Sequence, residues 1–356
     1  MHKSSLVLQR LAQQGLTQRP FHSPQEVVAW LGAVQAQEYE DAKWALGIRM
    51  RHATDDQIER ALADGTILRT HVMRPTWHYV TPADIRWLLE LTAPRVNAAN
   101  ASMYRQLELD EALFERSNAV IAEALRGGRT CTRAELGAAL ERAGIVARGV
   151  RLAHIVQRAE LDAVVCSGPR RGKQITYALL EERAPHARRL PREEALAELT
   201  RRYYTGHGPA TVHDFAWWSG LTMADARAGL ALVASELDHT TIDGQTYYFP
   251  ASIPPASETE SAFLLPPYDE LVIAFSPHGG SRAAGQVIPQ NVIFDSLVIV
   301  GDRFVGSWRR TFARGTTVIT VAPFAPLTPA QEAAIAAAVE QYGEFIGTPV
   351  QYTVVS

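Results

Sequence analysis

Two glutamines one residue apart, Gln35 and Gln37, close an apolar stretch that runs through Val27, Val28, Trp30, Leu31 and Val34. A carboxamide does not titrate in a useful range, so neither residue can serve as a general base. Each offers one acceptor oxygen and two N–H donors, which suits holding a water or orienting a dipole. At i and i+2 on a loop or extended segment the two side chains lie on one side and can share one water. From the residue types alone, the pair reads sooner as a helix-end cap or as polar surface than as a site.

Other chemistry-bearing residues are sparse. His71 and His78 are expected to face each other across a hairpin, more as polar residues on a half-buried strand than as a metal pair. There is no Gly-x-x-x-x-Gly-Lys-Ser/Thr, no Gly-x-Gly-x-x-Gly after a strand, no His-Glu-x-x-His and no Cys-x-x-Cys. No metal or cofactor is expected. Cys131 and Cys166 have neither metal-ligand nor disulfide-framework spacing, which fits a reducing compartment.

Basic side chains offer a second kind of site. The net charge is −3, yet it is unevenly spread. Residues 1–110 carry 12 basic and 12 acidic side chains, residues 111–205 carry 17 and 12, and residues 206–356 carry 6 and 14. The basic middle contains "PRRGK" and "RAPHARRLPR", and Arg outnumbers Lys throughout. Arg makes bidentate phosphate contacts that Lys cannot. Arg170, Arg171 and Lys173 are therefore candidate phosphate contacts, although such a run also suits a solvated face. The acidic last third predicts modest, salt-sensitive binding of nucleic acid.

The elements that must position these residues are readable from their ends. Ser23-Pro24-Gln25-Glu26, Thr54 to Gln57 and Thr132 to Glu135 are helix-start signals of the capping-box kind. Thr81 to Asp84 and Thr222 to Asp225 are weaker versions. After several of these starts the period turns to alternation. Strand pairs are expected in 66–80 about Arg74-Pro75, in 162–179 about a Gly-Pro-Arg-Arg-Gly turn, and in 237–249 about Asp243-Gly244. The fold class is α+β, with one supersecondary unit repeated three times: helices, then a hairpin. That is the outline of three tandem winged helix-turn-helix units, placed at 1–108, 109–185 and 186–252. From 253 to 356 the chain is β-rich, and a small C-terminal β-barrel or curled sheet with one helix at 327–347 is expected.

The composition, 47% hydrophobic and 21% charged, is that of a globular protein of several domains. No run of eighteen apolar residues occurs, so no membrane partner is expected. Gln9 and Arg10 interrupt the first apolar stretch, which argues against a secretory signal and for the cytoplasm.

Five segments, taken together, resemble one family. "VVAWLGAVQAQEYEDAKWALGIR", "LRTHVMRPTWHYVTPAD", "GPATVHDFAWWSGL", "LLPPYDELVIAF" and "VGSWRRTF" are similar, in order, to the AlkZ-type winged-helix DNA glycosylases of bacteria. The resemblance implies three tandem winged helices and a β-barrel forming a C-shaped clamp. It implies a DNA glycosylase that removes alkylated purines and, in some members, unhooks interstrand crosslinks; because Lys43 is the only lysine between Lys3 and Lys173, a monofunctional enzyme that leaves the strand uncut is expected. The partner would be damaged double-stranded DNA at the nucleoid, and the protein a monomer. The family signature, Gln, an aliphatic residue, then Gln or Asp, matches Gln35-Ala36-Gln37, with Ala36 small for the middle position. On this resemblance Gln35 and Gln37 are catalytic, Arg74, Thr76 and His78 support the site, and Arg309 and Arg310 touch the DNA backbone. A DNA-binding regulator or damage sensor without catalysis is the alternative, as is a member that acts on or sequesters a DNA-reactive natural product.

Overall fold

The computed structural model describes residues 3–252, 261–277, 295–313 and 315–355. The first part of the β-rich stretch expected at 286–300, and Arg314 of an expected turn, lie outside these. The chain is mixed α+β, and three times it runs through three helices and then an antiparallel hairpin. The first pass is Pro24–Leu31, Tyr39–Gly47 and Asp55–Asp64, followed by strands Leu68–His71 and Trp77–Val80. The second is Glu111–Leu125, Arg133–Arg142 and Gly149–Leu161, followed by Val165–Arg171 and Gln174–Leu179. The third is Arg192–His207, Val212–Ser219 and Met223–Val233, followed by Leu237–Ile242 and Gln245–Pro250.

Local chemistry sets these boundaries. The Ser23 hydroxyl accepts from Glu26 N, and Thr132 closes a full capping box with Glu135. Thr222 accepts from Asp225 N in the same way. Asp243 and Gly244 both take positive φ, 49° and 76°, the backbone that a two-residue hairpin turn requires. In the second hairpin the turn falls two residues later than expected, at Gly172-Lys173. Pro169 has no N–H to give, yet it sits inside the strand because the register shifts between Gly168 and Arg171.

The chain forms two compact units. One joins residues 1–59, 197–218 and 222–356; the other joins 60–196 with 219–221. In the second unit, a core of Phe114, Ile121, Leu136, Leu140, Ile155, Val165 and Tyr177 binds the middle helices to their hairpin. In the first, a five-stranded sheet runs in the order Val350–Val354, Thr316–Pro323, Arg303–Ala313, Leu297–Val300, Ala262–Leu265. The expected barrel is not closed: among the described residues the sheet is open. The helix Pro329–Ile346 makes a crossover, so the last strand adds parallel to Thr316–Pro323, at the edge away from Ala262–Leu265. The stretch after Leu265, expected to be β-rich, instead turns at Tyr268 (φ 59°) into the short helix Glu270–Ile273. No described helix is long and apolar enough to cross a membrane.

Helix Tyr39–Gly47 is clamped to this sheet and its helix. Trp44 donates to Leu264 O at 2.7 Å, and its ring lies 5.1 Å from that of Tyr342 and 5.0 Å from that of Phe345. Just past the helix, Arg49 forks onto both oxygens of Asp269, each at 2.8 Å, with both side chains fully buried. Removing one partner of such a pair leaves an uncompensated buried charge. Arg49→Met is expected to lower unfolding free energy by about 3–5 kcal/mol, measured by urea denaturation; a change under about 1 kcal/mol would contradict a structural role for the pair.

Candidate active site

The Gln35–Gln37 segment leaves helix Pro24–Leu31 through Gly32, whose φ of 79° turns the chain sharply without a Cβ clash. Val34–Gln35 then forms a two-residue strand, buried like the Ala36 that follows. Gln35 is only 6% exposed. Its backbone N–H donates to Glu270 Oε1 at 2.8 Å. Its side-chain Oε1 accepts the backbone N–H of Gln37 at 3.2 Å. The two residues are therefore linked by a side-chain-to-backbone turn, and the chain bends at Gln37 instead of running on extended. Gln37 is half-buried and lies two residues before helix Tyr39–Gly47.

Behind this turn is a buried polar group. Glu270 is fully buried, and its Oε2 accepts from Trp218 Nε1 at 2.9 Å. His207, also fully buried, places Nε2 3.3 Å from the same oxygen. Asp269, next to Glu270, caps its short helix by accepting from Leu271 N while holding Arg49. From the sequence, Tyr268, Asp269 and Glu270 lie in a segment that resembles the family, and barrel packing alone accounts for them. Their signal was two adjacent carboxylates set between "LLPP" and "LVIAF": acids in so apolar a run must find donors when buried.

Next along the chain from Gln37, Glu38 is the N-cap residue of Tyr39–Gly47 but makes no side-chain cap bond. It lines a cleft of about 690 Å³ with Asp41, Tyr268, Trp308, Arg309 and Arg310. Arg310 bonds Tyr342 Oη at 2.6 Å and pairs with Asp41 at 2.9 Å, so it is already committed, whereas Arg309 is exposed. Burial raises the pKa of Asp41, and Arg310 opposes that shift. Lys43 lies buried among Glu40 (2.7 Å), Asp55 (2.8 Å) and Glu59 (3.2 Å). Burial disfavours its charge, but bonds to Asp55 and Glu40 outweigh that and hold its pKa above the ordinary lysine value.

Arg74, Thr76 and His78 belong to the other compact unit. His78 is fully buried, with Nδ1 3.0 Å from Thr76 O. Thr76 Oγ1 is buried with no hydrogen-bond partner among the described residues, and Arg74 is half-buried. The expected His71–His78 pair does not form. The register sets His71 against Trp77 and His78 against Thr70: opposed residues in this hairpin differ by an even number of positions, whereas His71 and His78 are an odd number apart. His71 Nδ1 instead meets Glu160 at 2.5 Å, and Glu160 also accepts from Trp77 Nε1. On the second hairpin Lys173 is exposed at the turn, Arg170 is half-buried, and Arg171 forks onto Glu135.

A family model described as "DNA glycosylase AlkZ-like" matches residues 28–345. The chain belongs to this family of DNA glycosylases and is a hydrolase of that class. An "Interstrand DNA cross-link repair glycosylase" of Streptomyces sahachiroi is 26% identical over 324 residues, covering 84% of this chain and 85% of that protein. The solved structure of the Streptomyces sahachiroi DNA glycosylase AlkZ superposes with a TM-score of 0.82 at 20% identity, covering both chains fully.

Arg171 holds the Glu135 carboxyl down at about 2, aided by the Thr132 backbone N–H. A depressed carboxylate pKa stabilises the fold above its ordinary value near 4.5, and that contribution is lost as pH falls toward 2. In Arg171→Ala the Glu135 titration, followed by NMR, is expected to move up toward the ordinary value. An unmoved titration would show that Arg171 does not set it.

Proposed function

We propose that the bond hydrolysed by this glycosylase joins deoxyribose to a purine made cationic by alkylation at N7 or N3, in duplex DNA. The crosslink-repair name of the Streptomyces relative supports extending the substrate class to bulky adducts and interstrand crosslinks. A cationic purine leaves with the bonding electron pair as a neutral base, and C1′ becomes oxocarbenium-like. Water then adds at C1′ and releases a proton to solvent. Such a reaction needs a placed water and oriented dipoles more than it needs a base.

The observation that carries this assignment is the linked turn at Gln35 and Gln37. Gln35 Oε1 is turned onto the Gln37 N–H, so we assign Gln35 to setting the turn and the Gln37 carboxamide to holding the water. A carboxamide in this place leaves ordinary, uncharged bases intact. Lys43, the lysine nearest in sequence, stays protonated among three carboxylates. A protonated amine forms no Schiff base, which supports a monofunctional enzyme leaving an unbroken abasic strand.

The three helix–hairpin passages support three winged helices at 1–108, 109–185 and 186–252, followed by the sheet region 253–356. Arg74, Thr76 and His78 are assigned to the support of the site. Arg170, Arg171, Lys173, Arg309 and Arg310 are assigned to the DNA backbone. Lys173 and Arg309 are the foremost of these, because Arg171 and Arg310 would have to exchange Glu135 and Asp41 for phosphate. The protein is assigned to the cytoplasm as a monomer at the nucleoid.

Release of N7-alkylguanine from alkylated duplex tests the assignment. Wild type is expected to leave abasic sites and Gln37→Ala to lose about 10²-fold in rate, the cost of misplacing a reactant. Equal rates would remove the glutamine from the mechanism. Borohydride added during turnover is expected to trap no protein–DNA adduct; a trapped adduct would overturn the monofunctional assignment.

A further inference from the structure

We propose that Glu270 is a positioning residue for base excision, acting through the peptide of Gln35; this rests on the water-holding role assigned to Gln37. The connection is a chain of two hydrogen bonds. Glu270 Oε1 accepts the Gln35 N–H at 2.8 Å, and Gln35 Oε1 accepts the Gln37 N–H at 3.2 Å. Neither bond is made by a neighbour in the same helix. The first spans 235 residues, so nothing local would replace it.

The carboxylate is itself held in place. Its other oxygen accepts from Trp218 Nε1 at 2.9 Å and lies 3.3 Å from His207 Nε2. Its main chain starts a helix capped by Asp269, which Arg49 grips with two bonds. All of these side chains are buried to 1% exposure or less. Gln35 N–H therefore points at an acceptor with no water to substitute for it, and that acceptor cannot rotate away without leaving Trp218 unpaired. A local shift of the turn by about 1 Å would move the Gln37 carboxamide off the water's place, a displacement that costs on the order of 10²-fold in rate.

The test measures single-turnover release of N7-alkylguanine at saturating enzyme, duplex affinity and the urea midpoint for four proteins: wild type, Gln37→Ala, Glu270→Gln and the double variant. Glu270→Gln is expected to slow excision at least tenfold while duplex affinity stays within about threefold. In the Gln37→Ala background it is expected to add no further loss, because both changes remove one unit. Wild-type excision by Glu270→Gln would overturn the proposal, as would a loss that adds in full to that of Gln37→Ala. If Gln37→Ala itself excises at the wild-type rate, it is the assignment of Gln37 that fails. Should Glu270→Gln not fold, Glu270→Asp serves. It keeps the charge but draws the carboxylate back by one methylene, and an intermediate loss of rate is expected; an unchanged rate overturns the proposal.

Discussion

The buried carboxyl group of Glu270 is the constraint on which the Gln35–Gln37 turn depends. A buried carboxyl group is costly unless donors meet its oxygens, so these two oxygens dictate where Gln35 N–H and Trp218 Nε1 must be. The first donor belongs to the turn that carries the paired glutamines, the second to the helix Val212–Ser219, and the acceptor to a segment far along the chain. One side chain thereby ties three distant stretches together. The neighbouring Asp269–Arg49 fork repeats the device between the end of the Tyr39–Gly47 region and the same short helix.

This arrangement shows how a pair of neutral amides is held in place. A carboxamide contributes geometry rather than proton transfer, so its value lies in being held still. Gln35 is held at its peptide by Glu270 and uses its own side chain to hold the next peptide. The helix after Gln37 is pinned by Trp44 against Leu264, Tyr342 and Phe345, and by the Asp41–Arg310 pair. The chain belongs to the AlkZ-like DNA glycosylase family, and under the proposed function this rigidity would serve to place a nucleophile.

Charge is used in two ways across the molecule. Many of the Arg side chains that look like phosphate contacts are engaged with carboxylates, as Arg171 is with Glu135 and Arg310 with Asp41. The Arg171–Glu135 pair is exposed, where an ion pair is worth little and exchanges readily, whereas Arg310 and Asp41 are more buried and more firmly held. The buried Arg49–Asp269 pair cannot exchange and serves the fold. Burial, more than residue type, separates the two roles.

Much of the architecture was legible in the sequence because its signals are local. Ser23, Thr132 and Thr222 mark helix starts by accepting backbone N–H groups within one turn, and Asp243-Gly244 marks a hairpin by the φ it permits. The Gln-x-Gln pair and the family were legible for the same reason, as short patterns. What the sequence could not decide was strand register and the contacts between segments distant in the chain. It placed His71 opposite His78, whereas strand register paired His71 with Trp77 and packing brought Glu160 to it. It expected a small barrel or curled sheet; among the described residues the sheet is open, and its last strand adds parallel. It took Tyr268, Asp269 and Glu270 for packing, since nothing near them in sequence shows which donors they meet. The residue types and the elements were set by short-range chemistry; the partner of each buried charge was decided only when the tertiary fold excluded water from around it.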